Sequence, residues 1–173
     1  MDSERVAASI EEMFRDQVGK DRNATNACLL VHSDRTGFHV NLAEGTTGSL
    51  PADPRQPNYM ASVGKPFTST IVSILHERGM LSFDDRITRH LDQELLNGLH
   101  VHKGADLTDD IRIKHLLSQT SGVPDDFEPL MDELLAAADF SITPREAIGW
   151  AKKSEARFAP GTSFQYTDTN YHL

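Results

Sequence analysis

Over the first twenty residues, apolar side chains recur every three or four positions. Val6, Ile10, Met13, Phe14 and Val18 form one stripe, which predicts an amphipathic helix ending near Val18-Gly19 with the glycine as a left-handed cap. The period then shortens. Asn26-Ala27-Cys28-Leu29-Leu30-Val31 reads as a strand, and Phe38-His39-Val40-Asn41-Leu42 alternates as a half-buried second one. Ser33-Asp34-Arg35-Thr36-Gly37 between them is turn chemistry, so the pair predicts a hairpin. A two-stranded hairpin is marginal by itself and calls for further strands, yet the chain offers few. Residues 45–57, with two glycines and three prolines, read as an irregular loop.

A helical pattern resumes at Ser62 and runs to about Glu77-Arg78, with Gly79 as its cap and Phe67, Ile71, Ile74 and Leu75 on one face. Asp84 suits the N-cap of a short helix over 85–91, and residues 97–110 read as a polar loop. Ile111 to Leu117 leads into a short helix stopped at Gln119-Thr120-Ser121-Gly122-Val123-Pro124. Leu130, Leu134 and Ala138 mark another helix. Thr143-Pro144-Arg145-Glu146 is a capping box that opens a helix carrying Ala147, Ile148, Trp150 and Ala151. Pro160-Gly161 turns the chain into Phe164-Gln165-Tyr166-Thr167-Asp168. The closing Asn170-Tyr171-His172-Leu173 starts an apolar pattern that does not finish, so the chain is expected to be the N-terminal portion of a larger fold.

Composition narrows the function classes. Lysine and arginine total 17 against 26 acidic residues, a net charge of −9. With no basic stripe, nucleic acid is not expected as a partner. No apolar run approaches the ~18 residues of a membrane span, and the N-terminus lacks an apolar signal core, so a cytoplasmic location is the default expectation. Cys28 is the sole cysteine. No intrachain disulfide can form, and Cys28 is expected as a small buried strand residue. His100 and His102 alternate as a metal pair would but lack a third ligand, so they read as solvated loop histidines; no metal and no cofactor are expected.

The candidate chemistry centres on Ser62-Val63-Gly64-Lys65. On a helix, three residues turn about 300° and rise ~4.5 Å, so Ser62 and Lys65 share a face. A serine hydroxyl needs a nearby base to become a nucleophile, and a helix N-terminus favours a developing oxyanion. A lysine with a reference pKa of about 10.4 can act as base only if desolvated or set among cations. Ser-x-x-Lys alone is common, usually a cap followed by an exposed lysine. Its neighbours change that. Tyr59-Met60 and Pro66-Phe67 flank it with bulky apolar residues.

Four stretches in order carry a family resemblance. They are Met60-Ala61-Ser62-Val63-Gly64-Lys65-Pro66-Phe67-Thr68, Arg78-Gly79-Met80-Leu81-Ser82-Phe83-Asp84-Asp85-Arg86-Ile87, the run from Ile111 to Pro124, and the run from Phe158 to Tyr171. Together they resemble the serine beta-lactamase and penicillin-binding-protein superfamily, in the branch of class C beta-lactamases, D-alanyl-D-alanine carboxypeptidases and related esterases. The resemblance implies an α/β (α+β) fold in which helices flank an antiparallel sheet, with an all-helical subdomain inserted. As one domain over 1–173, residues 1–78 would hold the first helix, the hairpin and the serine helix. Residues 79–158 would be the helical subdomain, and 159–173 the return to the sheet.

The resemblance also implies roles. Ser62 would be acylated by a small-molecule ester, amide or beta-lactam. Lys65 would help take its proton, and Tyr166 would pass that proton to the leaving group and activate water. Asp168 would contact both lysine and substrate. The family usually has asparagine at that position. An ionised aspartate only accepts hydrogen bonds, which predicts a weaker fit to beta-lactams and peptides than to simple esters. A Lys/His-x-Gly strand that the family carries after the tyrosine is absent here, and His102-Lys103-Gly104 precedes the tyrosine. The 173 residues alone are therefore expected to be inactive. The competing readings are a ligand-binding or sensing module without turnover, and an inactive truncated product. His115 and the turn Thr120-Ser121-Gly122 are expected to be structural, and Trp150 and Phe158 to be core residues.

Overall fold

The structure, a computed structural model, describes residues 3–137 and 139–173. Ala138, expected in the fifth helix, lies outside the described residues. The chain forms two compact units, one ending at Tyr59 and the other spanning Met60–Leu173.

In the first unit, helix α1 (Ser3–Lys20) precedes strands β1 (Asn26–Ser33), β2 (Phe38–Thr47) and β3 (Leu50–Pro51). The sheet order is β1-β2-β3, and all pairs are antiparallel. β1 and β2 pair along their lengths, from Asn26 opposite Gly45 to Ser33 opposite Phe38. The predicted hairpin is present and longer than expected, because the start of the supposed 45–57 loop continues β2 and turns back as β3. α1 lies along this sheet, with Arg15 Nε donating to Glu44 at 2.7 Å. Gly19 is an ordinary helical residue and not the cap, since α1 runs on to Lys20. Cys28 is exposed rather than buried. The strand alternation puts it on the outward face between half-buried Ala27 and Leu29.

The second unit begins with a 3-10 turn over Ala61–Gly64 that runs into helix α2 (Lys65–Glu77). Then come α3 (Gln93–Leu96), a small hairpin β4 (Val101–His102) and β5 (Ala105–Asp106), α4 (Ile113–Leu117), α5 (Phe127–Ala136), α6 (Pro144–Ala151) and α7 (Thr169–His172). The helix expected over 85–91 is a 3-10 turn at Ile87–Arg89. Asp84 does not cap it; its carboxylate takes Lys114 at 2.6 Å. Asp85 holds the turn instead. It accepts from Ser82 N at 2.9 Å and pairs with Arg89 and His90, which lowers its pKa to about 2. Gly79 does cap α2, with Met80 N donating to Leu75 O at 3.0 Å as in a Schellman motif. The Thr143 capping box is complete: Glu146 N donates to Thr143 Oγ1 at 3.3 Å, and Thr143 N to Glu146 Oε2 at 2.8 Å.

The core of this unit is Ile87, Leu96, Leu99, Ile111, Leu116, Val123 and Ile148, gathered from short elements. The apolar stripe of α2 is not part of it. Phe67, Ile71 and Ile74 stand 60, 59 and 40% exposed, while Val72 and Leu75 are half-buried. Periodicity finds an apolar face but does not say which neighbours cover it.

His100 and His102 are not solvated. His100 is fully buried and its Nε2–H donates to Phe158 O at 2.9 Å; the ring nitrogen Nδ1 of His102 is 2.8 Å from Ala156 O. Burial lowers the His100 pKa, keeping the ring neutral. Each histidine ties the 156–158 segment to the β4 region. Gly122 lies against the same segment, with φ +78° and a position where a Cβ would sit 2.1 Å from Phe158 O. Only glycine fits there.

Candidate active site

The 156–168 segment is sutured along residues 119–122, and that suture aims Tyr166. Arg157 N donates to Gly122 O at 3.1 Å, Gly161 N to Thr120 O at 2.8 Å and Gln165 N to Gln119 O at 3.0 Å. The Gln119 side chain then accepts from Thr167 N at 3.0 Å and from Asn170 Nδ2 at 2.6 Å. Ser121 is fully buried and donates to Asn170 Oδ1 at 2.6 Å, so the Thr120-Ser121-Gly122 turn is structural, as expected. Buried polar side chains that each make two such bonds leave little room for another arrangement.

On the opposite wall, Ser62 lies in the 3-10 turn rather than in α2. The reason is local. Pro66 has no N–H to complete an α-helical bond, so the first turn closes instead from Lys65 N to Ser62 O. In a 3-10 turn, positions three apart eclipse, so Ser62 and Lys65 still share a face. Ala61 just before has φ +45°, in the left-handed region that an alanine rarely occupies. This outlier sits next to the serine, and no sequence pattern signals it.

The structure brings together all four residues singled out in the sequence. Lys65 Nζ donates to Ser62 Oγ at 3.1 Å, and the Tyr166 hydroxyl donates to the same oxygen at 2.6 Å. Lys65 also forms a short ion pair with Asp168. Two donors converging on one hydroxyl oxygen favour its developing negative charge. Burial would by itself lower the Lys65 pKa. Hydrogen bonds to Asp168 and Tyr166, with their charges, outweigh it and hold the pKa above the ordinary lysine value. The ammonium also sits 4.9 Å from the Tyr166 ring centre.

Three further residues shape the site. The Tyr171 hydroxyl lies 3.0 Å from Ser69 Oγ and donates to Leu117 O at 3.1 Å; its ring centre is 5.8 Å from Lys65 Nζ. Asp125 accepts from Asp168 N at 3.0 Å, which fixes the backbone behind the ion pair. Burial pushes the Asp125 carboxyl above its usual range. Gln119, with φ +60°, is the third. Tyr171 is readable as part of the Phe158-to-Tyr171 stretch and Gln119 as part of the Ile111-to-Pro124 run; Asp125 carries no signal of its own.

Ala61, Ser62, Gly64, Lys65, Thr68, Phe127, Asp168, Tyr171 and His172 line an open cleft of about 450 Å³. Among the described residues, no group of three or more His, Cys, Asp or Glu side chains could hold a metal ion. His102-Lys103-Gly104 forms the β4–β5 turn. Among the described residues, no helix is long and apolar enough to cross a membrane.

The family model described as Beta-lactamase matches residues 10–173. Protein flp of Staphylococcus aureus (strain COL) is 30% identical over 122 residues, 70% of this chain and 22% of that protein. Penicillin-binding protein 4* of Bacillus subtilis (strain 168) is 35% identical over 66 residues, 38% of this chain and 12% of that one. Among solved structures, the D-amino acid amidase of Ochrobactrum anthropi SV3 superposes with a TM-score of 0.73 at 21% identity, covering 94% of this chain and 44% of the amidase. EstCE1, a hydrolase with promiscuous acyltransferase activity, superposes with a TM-score of 0.68 at 19% identity, covering 94% and 44%. The chain thus spans about a fifth of Protein flp and less than half of each of these two structures. A mix of helices and antiparallel sheet is the fold these structures share with it.

Proposed function

Because the chain belongs to the Beta-lactamase family, we propose that it carries the nucleophile wall of a serine hydrolase that acts on esters or amides through an acyl-enzyme. The observation that carries this is Ser62 Oγ held between Lys65 Nζ at 3.1 Å and the Tyr166 hydroxyl at 2.6 Å. Ser62 Oγ attacks the substrate carbonyl carbon, and the C=O π pair moves to the carbonyl oxygen. Tyr166 acts as a phenolate, its own hydroxyl proton released beforehand to solvent beside the Lys65 ammonium, and takes the Ser62 proton. Lys65, kept charged by Asp168, stabilises the negative charge shared by Oγ and the phenol oxygen. When the tetrahedral species collapses, Tyr166 returns the proton to the leaving amine or alcohol. Water then attacks the acyl carbon along the reverse proton path, and Ser62 is released. These steps need only side-chain acid–base chemistry and no cofactor. Among the similar structures, the D-amino acid amidase supports small amide substrates, and the hydrolase with promiscuous acyltransferase activity supports transfer through an acyl-enzyme.

The test asks for slow acylation only, not for the turnover that the 173 residues alone are expected to lack: intact-mass analysis of the purified chain after prolonged exposure to p-nitrophenyl acetate or benzylpenicillin. A single acyl adduct is expected, absent in Ser62→Ala and formed about 10²–10⁴-fold more slowly in Tyr166→Phe. Equal labelling of the Ser62→Ala variant, or no adduct on the native chain, overturns the proposal. An adduct that never deacylates would make this site a binding module.

A further inference from the structure

The turn end of the β1–β2 hairpin carries a cluster that the serine chemistry does not use. His32 and His39 are directly opposite each other in the strand register, and both are exposed. Their ring centres are 5.2 Å apart, with the ring planes at 73°. The two Nδ1 atoms face each other at 3.2 Å. Two lone pairs would repel at that distance, and so would two N–H groups. One proton therefore lies between the two nitrogens. On the far side of the His32 ring, Nε2 is 3.0 Å from Asp34 Oδ1. An ionised carboxylate only accepts, so this Nε2 carries a hydrogen and Nδ1 is the ring nitrogen left to offer a lone pair.

A cation other than a proton fits the same place. Two imidazole nitrogens bound to one tetrahedral ion at about 2.0–2.1 Å lie about 3.3–3.4 Å from each other, close to the separation here. A small rotation of each ring about its Cβ–Cγ bond turns both lone pairs onto one ion. Starting from neutral rings, the displaced proton ends on His39 Nε2. Asp34, bonded to the outer nitrogen of His32, fixes that ring and strengthens its inner nitrogen as a ligand. The strand pairing from Asn26–Gly45 to Ser33–Phe38 holds the two backbones in register, so no loop has to be ordered to bring the ligands together. The His32 side chain is 49% exposed, which leaves room for water to complete the coordination shell. His100 and His102 offer no such pair, since each spends a ring nitrogen on a backbone carbonyl.

We propose that His32 and His39 bind one first-row divalent cation of the kind imidazole prefers, Zn²⁺, Ni²⁺ or Cu²⁺, with water as the remaining ligands. Asp34 is the positioning residue. The bound ion bridges β1 and β2 and clamps the turn end of the hairpin.

The experiment titrates the purified, untagged chain, stripped with EDTA, with zinc chloride, followed by calorimetry and by NMR of the histidine rings. One saturable equivalent is expected, with the His32 and His39 resonances shifting together. His32→Ala and His39→Ala should each weaken binding at least about tenfold, and Asp34→Asn by about three- to tenfold. Zn²⁺ should also slow amide exchange across residues 31–40 in the native chain and leave it unchanged in His32→Ala. All three side chains are exposed, and thermal melts check that each variant folds. No saturation below about 1 mM, shifts confined to other histidines, or undiminished affinity in any of the three variants overturns the inference.

Discussion

Asp168→Asn removes the charge that holds Lys65 while keeping nearly the same shape. In the native site, burial works against the Lys65 ammonium and its bonds to Asp168 and Tyr166 overcome that effect. The lysine and aspartate side chains are only 16% and 24% exposed, so solvent screens the pair little. An opposite charge in direct contact moves a pKa by about 1–3 units, and each unit is 1.36 kcal/mol. Substitution should therefore lower the Lys65 pKa and weaken its preference for the ammonium, because Tyr166 alone then opposes the effect of burial. The direct assay is an NMR titration of ¹⁵N-labelled Lys65 Nζ in both proteins. A second readout is stability. A raised lysine pKa stabilises the fold fully below the unfolded lysine value and stops doing so as pH rises through the folded one. The variant should thus be less stable at pH 7, with the deficit closing at strongly alkaline pH. Asparagine also offers the donor that an ionised aspartate lacks. Acylation by nitrocefin should then rise relative to acylation by p-nitrophenyl acetate. An unchanged Lys65 titration would refute the electrostatic reasoning, and a fall in the nitrocefin-to-ester ratio would refute the assignment of Asp168 as a substrate contact.

Two predictions concern the scaffold. Gly122→Ala meets both left-handed strain and the Phe158 carbonyl, at 2.1 Å from the new Cβ, and should cost at least about 2 kcal/mol; Gly104→Ala, with φ +80° but open space around it, should cost less. Calorimetric melts of the two variants decide this, and equal losses would contradict it. Asp85, held at a pKa of about 2 by Ser82 N, His90 and Arg89, contributes stability above the ordinary carboxyl pKa that fades as pH falls toward 2. Asp85→Asn should flatten the loss of stability between about pH 4 and pH 2, measured by urea unfolding. A native-like acid slope would count against that assignment.

Much of this was legible without coordinates, where the chemistry is local. The first helix, the Gly79 cap and the Thr143 capping box depend on residues a turn or so apart, and the hairpin on two neighbouring strands joined by a short turn. Ser62 and Lys65 share a face in an α-helix or a 3-10 turn alike, so the change imposed by Pro66 left their pairing intact. The errors fell where burial is decided at a distance. Cys28 was expected inside and is exposed. His100 was expected in solvent and is buried, because its carbonyl partner on Phe158 lies 58 residues away.

Motif spacing and periodicity, which are properties of neighbouring residues, are enough to pick out Ser62 with Lys65, the family and the order of elements. Folding is what brings Tyr166 to Ser62 across 104 positions and Asp168 to Lys65. Those contacts rest on the bonds that zip residues 156–168 along 119–122. Hydrogen bonds between distant segments depend on where folding places each backbone group, and no local pattern records that.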